Sequence, residues 1–290
     1  MATRTEVRST DVAGQRAGIW RYVGQGVIHL VLVVFALAAV LPFIWMVFGS
    51  FKEYKELTSS MALLPQTWTL DNYDQIIGRV NFLSAFRNSV IIAVVQTLSV
   101  LLTSSAAGFV FAKYRFPGKE VLFTMILATM MIPFAVVLIP LYIFVSDIGA
   151  MDQLTGIIIV GMWSAFGIFL LRQFMEGVPS ELLDAARIDG ASEWRIYSQI
   201  MIPLSGAPLA ALAILVFLGS WDNFLWPSLV LNSPEKQTIP LVLLGLRSLY
   251  WSRYDLYMAG SMLTILPVML IYIFASKHFI RGIALTGLKG

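Results

Sequence analysis

Six stretches of the chain are apolar without interruption, and polar segments separate them. They run over residues 27–51, 88–112, 121–145, 154–174, 208–231 and 258–280. Crossing the hydrocarbon of a bilayer takes about 20 helical residues, and each stretch is long enough. Strands of a membrane barrel would show as segments of about ten residues alternating in polarity. These stretches are continuous, so each is predicted as one membrane-spanning helix. The first could be mistaken for a cleaved signal, because Arg21 precedes it and Ala36-Leu37-Ala38 resembles a cleavage site. Its apolar run continues through Leu41, Phe43 and Trp45 to Phe48, beyond the 7 to 15 residues of a signal core. It is expected to remain as a helix.

Composition agrees with that pattern. Of the 290 residues 58% are hydrophobic and 13% charged, with a mean hydropathy of +0.78, whereas soluble globular chains are about 25% charged. The predicted class is an all-α integral membrane protein: a short N-terminal tail (1–26), a six-helix transmembrane domain (27–280) and a short C-terminal tail (281–290). There is no cysteine, which excludes disulfides, thiol nucleophiles and thiolate metal sites.

The distribution of charge orients the bundle. With the N-terminus inside, thirteen Lys and Arg fall on the inner side and seven outside. The clearest contrast is between two short loops: 113–120 holds Lys113, Arg115 and Lys119, and 146–153 holds none. Cytoplasmic loops are enriched in Lys and Arg, so both termini are expected in the cytoplasm. The net charge is +3 without a basic run, and nucleic acid is not an expected ligand.

Long loops tend to be functional, and the inner loop 175–207 carries the densest punctuation. Ser180 is placed to cap a helix whose first turn holds Glu181 and Asp184, and Gly190 supplies a left-handed stop. Ser192 then caps a second helix running through Ile196, Ile200 and Ile202 to Pro203, where the missing N–H ends or kinks it. Helix, turn and helix also describe a DNA-binding unit. Residues 172–203, however, hold three Arg against five acidic side chains, which phosphates would repel. Two readings remain: an amphipathic linker lying on lipid headgroups, and a helix presented to a groove on a cytoplasmic partner.

Asp184-Ala185-Ala186, then Gly190, then Ile200-Met201-Ile202-Pro203 resembles the Glu-Ala-Ala, Gly, Ile-x-Leu-Pro signature of the membrane subunits of binding-protein-dependent ABC importers. The spacing agrees. Asp184 stands where that family usually has Glu, and Ile202 where it has Leu. Phe116-Pro117-Gly118-Lys119, Trp221-Asp222-Asn223-Phe224-Leu225-Trp226-Pro227 and the ending Gly282 to Gly290 are similar to the carbohydrate-uptake, maltose-type branch.

The resemblance implies a six-helix type I ABC importer permease bundle with a cytoplasmic coupling helix, in a bacterial cytoplasmic membrane. Besides lipid it implies as partners a second permease subunit as a heterodimer, a dimer of cytoplasmic ATPase subunits, and an extracytoplasmic sugar-binding protein that meets the outer loops 52–87 and 232–257. It places ATPase coupling on Glu181, Asp184, Ala185, Ala186, Arg187, Asp189, Gly190, Ile200 and Pro203, with tail contacts at Gly287 and Lys289. ATP and Mg would belong to the partner ATPase. In agreement, the chain has no phosphate-cradling G-x-x-x-x-G-K-[ST] loop, because Gly118-Lys119 is followed by Glu120.

Within the spans, polar and aromatic residues are the candidates for a sugar path: Asn88, Trp163, Trp221, Asp222, Asn223 and Trp226. Hydroxyls need hydrogen-bonding partners, sugar ring faces stack on aromatics, and a carboxylate inside a span is costly unless it is used or paired. Trp at span ends can equally anchor in headgroups. Ser104, Gly108 and Ala112 form a stripe of small residues suited to close helix packing. A permease for a polyol or glycerol-phosphate ligand is the nearest alternative. An ion-coupled secondary transporter would rest on Asp222. An intramembrane enzyme lacks any nucleophile elbow or zinc helix.

Overall fold

The computed structural model describes the backbone of residues 7–79, 81–247 and 253–286, with side chains over 24–78, 81–246 and 253–273. Every regular element among these residues is helical. In chain order they are α1 (Val7–Gly49), α2 (Tyr54–Ser59), α3 (Asp71–Arg79), α4 (Phe82–Lys113), α5 (Lys119–Thr129), α6 (Phe134–Asp147), α7 (Leu154–Ile158) and α8 (Ala165–Glu176). Beyond them lie α9 (Ser180–Ile188), α10 (Glu193–Ile196), α11 (Ile202–Leu204), α12 (Gly206–Trp221), α13 (Leu225–Val230), α14 (Ile239–Arg247) and α15 (Tyr254–Thr286).

Long apolar helices stand where the first, second and sixth spans were expected, α1 reaching back to Val7 and α4 forward to Phe82. The third span departs from expectation. Instead of one helix over 121–145 there are two, α5 and α6, whose axes differ by 96°. The break follows from Pro133. It forces an extended conformation on its neighbourhood and contributes no N–H, and it stands at the N-cap of α6 with ψ 139°. The last turn of α5 tightens to meet it, with Met130, Met131 and Ile132 donating to the carbonyls of Leu127, Ala128 and Thr129. The fourth and fifth spans are interrupted as well. A 3-10 turn (Ile159–Gly161) comes after α7, and α8 starts afresh with the Ser164 hydroxyl accepting from the Gly167 amide at 3.1 Å. The segment 222–224 separates α12 from α13.

α4 is the central post, packed along α8 and α12. The small-residue stripe makes this possible. A Cβ on Gly108 would lie 3.0 Å from Leu171 Cβ and 3.1 Å from the Arg172 amide, and one on Gly167 would lie 2.4 Å from Ser104 Oγ. Gln96, on the same post, donates to the Ile157 carbonyl at 2.9 Å and accepts from the Ser220 hydroxyl at 2.7 Å. One side chain thus ties α4 to α7 and α12 inside the bundle, where a polar group without partners would be costly.

The connections sort onto two faces. On one, the segment after α4 meets the loop from 177 to 205. On the other, the 148–153 and 231–238 segments join the α2–α3 region and α14.

Candidate functional site

The 177–205 loop is built on a small core of its own. Leu183, Ile196, Tyr197 and Met201 are buried against Phe109 of α4 and Met175 of α8, and removing such side chains from water contributes about 1.5–3 kcal/mol each. Tyr197 adds a hydroxyl contact of 2.6 Å to Ser105. Gly190 has φ +79°, the left-handed conformation a Cβ disfavours, and its amide donates to the Arg187 carbonyl at 3.0 Å. Ser192 caps the next helix through the Arg195 amide at 3.3 Å.

Two expectations for the loop need correction. Ser180 does not cap α9. It is the first helical residue, and Pro179, with its fixed φ, occupies the cap position and makes no side-chain bond. The second helix is not uniform either. It passes from α10 into a π turn (Tyr197–Met201), in which the Ile202 amide reaches back five residues to Tyr197. Pro203, which has no amide to offer, stands just beyond that wide turn.

On the outward face of α9, Glu181, Asp184, Ala185, Ile188 and Asp189 are exposed, as is Gly190 beyond it. Ile188 is 87% exposed and Trp194 73%, although the same loop buries Leu183, Ile196 and Met201. Ala186 faces inward, Ile200 is half-buried in the π turn, and Pro203 beyond it is exposed. The charges are already paired. Arg187 donates to Asp184 Oδ1 and Glu193 Oε1, both at 2.8 Å. The Tyr114 hydroxyl, just past the end of α4, donates to Glu193 Oε2. These bonds, Glu193 first, raise the pKa of Arg187 further above its usual range, and Arg187 in turn lowers that of Glu193. Burial, then Glu193, raises that of the Tyr114 phenol. Of the proposed tail contacts, Gly287 and Lys289 lie outside the described residues.

The candidate path residues fall into two groups. Three are buried and occupied by internal contacts. Asn88 donates to the carbonyls of Glu235 and Gln237, both at 3.0 Å. Trp226 donates to the Gly156 carbonyl at 3.1 Å. Trp221 stacks on Phe217 with centroids 5.6 Å apart and packs edge-on to Phe86. The other three are accessible and sit at the breaks: Trp163 before α8, and Asp222 and Asn223 between α12 and α13. Asp222 lines a cleft of about 300 Å³ together with Phe224, Leu243, Leu244, Tyr257 and Thr264.

Sequence reasoning did not single out Tyr114, Glu193 and Ile188 at the loop, nor Asp152 on the opposite face. Asp152 has φ +53° and accepts from the amides of Asn232 and Ser233, both at 2.9 Å, from the Ser233 hydroxyl at 2.5 Å, and from Lys236 Nζ at 3.1 Å. Those bonds, the Ser233 hydroxyl first, hold its carboxyl well below the usual carboxylate range. A non-glycine residue with positive φ leaves no pattern in the sequence. The Arg187 to Glu193 spacing across a glycine turn was the one legible hint of the loop network.

Comparison with known proteins places this architecture. The chain is 39% identical over 259 residues to the arabinooligosaccharides transport system permease protein AraQ of Halalkalibacterium halodurans, covering 88% of this chain and 93% of that one. It is 36% identical over 254 residues to the lactose transport system permease protein LacG of Rhizobium radiobacter, again covering 88% and 93%. Its fold matches a chain of a crystal structure of a bacterial ABC transporter that imports the acidic polysaccharide alginate, with a TM-score of 0.80 at 24% identity over 89% of this chain and 97% of that one. The family model for the inner membrane component of binding-protein-dependent transport systems matches residues 102–284, from the middle of α4 through the loop and all three interrupted spans to α15. The protein is therefore a multi-pass membrane protein belonging to the family of binding-protein-dependent transport system inner membrane components.

Proposed function

We propose that this chain is one half of the membrane pathway of an ATP-driven carbohydrate importer, and that the 177–205 loop docks on a cytoplasmic ATPase dimer. One observation carries the reading: the loop fills its own core yet leaves Ile188 and Trp194 in water beside Asp184 and Asp189. A helix face with apolar and acidic residues around a narrow Ala185 suits insertion into a groove. An interfacial linker on headgroups would turn mainly cations outward, whereas here Glu181, Asp184 and Asp189 are exposed beside Arg187 and Arg195.

The remaining assignments rest on that one. With the loop inside, the positive-rich side and both termini are cytoplasmic. ATP and Mg²⁺ are then held by the ATPase, a second permease completes the path, and a binding protein delivers the solute to the opposite face. Carbohydrate as the solute class is supported by the relatives' transport of arabinooligosaccharides and lactose. The accessible cleft at Asp222 supports it too: a carboxylate for hydroxyls and the rings of Phe224 and Tyr257 for a sugar's apolar face. Alternating access requires each partner to bind one arrangement of the bundle better than the other.

The test is capture of the ATPase. The chain is expressed from its own operon with an N-terminal tag and purified in mild detergent. An ATPase subunit is expected in stoichiometric amount with the wild type and lost with Asp184→Lys and Gly190→Pro, since Pro cannot adopt φ +79°. Absence of the ATPase from the wild type would sink the docking assignment. Uptake into proteoliposomes, comparing oligosaccharides with glycerol phosphate, then decides the solute class.

A further inference from the structure

We propose that Glu193 is the positioning residue that fastens the docking helix α9 to the end of α4, so that movement imposed on α9 reaches the bundle instead of being absorbed within the loop. The inference rests on the docking reading above.

The geometry is a continuous polar chain. Asp184 and Arg187 on α9 are joined at 2.8 Å. Arg187 then reaches across the Gly190 turn with two nitrogens, Nε to Glu193 Oε1 at 2.8 Å and Nη2 to Oε2 at 3.3 Å. Oε2 also takes the Tyr114 hydroxyl. Tyr114 is the residue that ends α4, and its ring is held edge-on against Phe109 with centroids 5.4 Å apart. A forked guanidinium–carboxylate pair fixes orientation as well as distance.

The backbone connection from α9 to α10 runs through Asp189, Gly190 and Ala191, whose amides bond back to Ala185, Arg187 and Ala186 of α9 itself. Those bonds shape the turn but do not tie it to α4. Leu183 is the one buried residue of α9, and an apolar contact slides more easily than a bidentate pair.

The same exposure that leaves these charges in water makes the test clean. The side chains of Arg187, Glu193 and Asp184 are 37%, 48% and 64% exposed, and exposed ion pairs add little stability. Substitutions here should alter transmission without unfolding the chain.

The complete transporter, with its ATPase and binding protein, is reconstituted in proteoliposomes, and solute imported per ATP hydrolysed is measured. Tyr114→Phe removes one hydroxyl, and Glu193→Gln removes the charge at constant size. Each is expected to capture the ATPase and hydrolyse ATP as the wild type does, while import per ATP falls about fivefold, at the low end of allosteric coupling. The double variant should be no worse than the more severe single one, because both cut the same chain. Unchanged import per ATP in both variants overturns the proposal. So does a fall in import that merely tracks lost ATPase capture, which would mark a purely structural role. If the wild type captures no ATPase, this inference falls together with the docking reading, and that outcome is visible before any variant is made.

Discussion

The two faces of this protein hold their irregular backbone in different ways. On the face of the 231–238 segment, Asp152, Asn88 and Ser89 spend their side chains on backbone groups in and beside that segment, the last through the Ile239 amide at 3.0 Å. Lys52, almost fully buried, donates to the Ala62 carbonyl, and Asn72 donates to the carbonyls of Ser50 and Lys52 at 2.9 and 2.8 Å. Irregular backbone is closed there from within the chain. On the other face the 177–205 loop closes around its own apolar core and leaves Ile188 and Trp194 exposed. The first face exposes apolar residues too, Met61, Trp68 and Leu70 among them, so the faces differ in how their backbone is held and not in whether apolar groups reach the surface. An exposed apolar surface lowers its free energy when another molecule covers it, and both faces offer one.

Substitutions can separate these roles. The largest effect is expected from Asn88→Leu, which strips the Glu235 and Gln237 carbonyls of their buried donor at a cost of about 2–4 kcal/mol. Thermal unfolding of the purified protein should shift downward while ATPase capture stays intact. Ile188→Ser is the mirror case. It should leave the melting temperature alone but weaken the ATPase complex by about 2 kcal/mol, or about 30-fold in Kd, measurable by titration on immobilised protein. A fall in both quantities for either variant would break the division between faces.

Gly190→Ala sharpens it. With open space around the position, only backbone strain is added, about 1–2 kcal/mol, and capture should weaken about tenfold without being abolished. Asp152 gives the smallest effect, and it depends on pH. Its folded pKa lies below the ordinary carboxylate value near 4, so its contribution is fully present above that value and is lost as pH falls below it. Comparing melts at pH 7 and about pH 2, Asp152→Asn should lose part of the acid sensitivity that the wild type shows.

Much of the fold was legible because it rests on local chemistry. Continuous apolar runs marked the spans, Gly190 the left-handed turn, Ser192 a cap, and the Ser104–Gly108 stripe a close helix contact. What escaped depends on distant partners. Pro133 is a helix breaker by residue type, but the 96° between α5 and α6 is not written in the sequence. Asn88 read as a path residue because its partners lie 147 and 149 residues further along the chain. Tyr114 looked like an ordinary residue at a span end until the loop folded back upon it. For the loop, residue types announced two short helices about a glycine turn, and only the three-dimensional arrangement showed which side chains face out.

α1 has one further consequence, for biogenesis. Its apolar span, Gly24–Gly49, is the most apolar of the membrane-crossing helices, and it is exposed from 24 to 43, only its end from 44 to 49 packing on the rest of the chain. It is also the first to leave the ribosome, when none of the other helices yet exists to shelter it. A helix that buries so little of itself can enter the bilayer at once and hold the nascent chain there while the interrupted spans are still being made, before its end packs on α15.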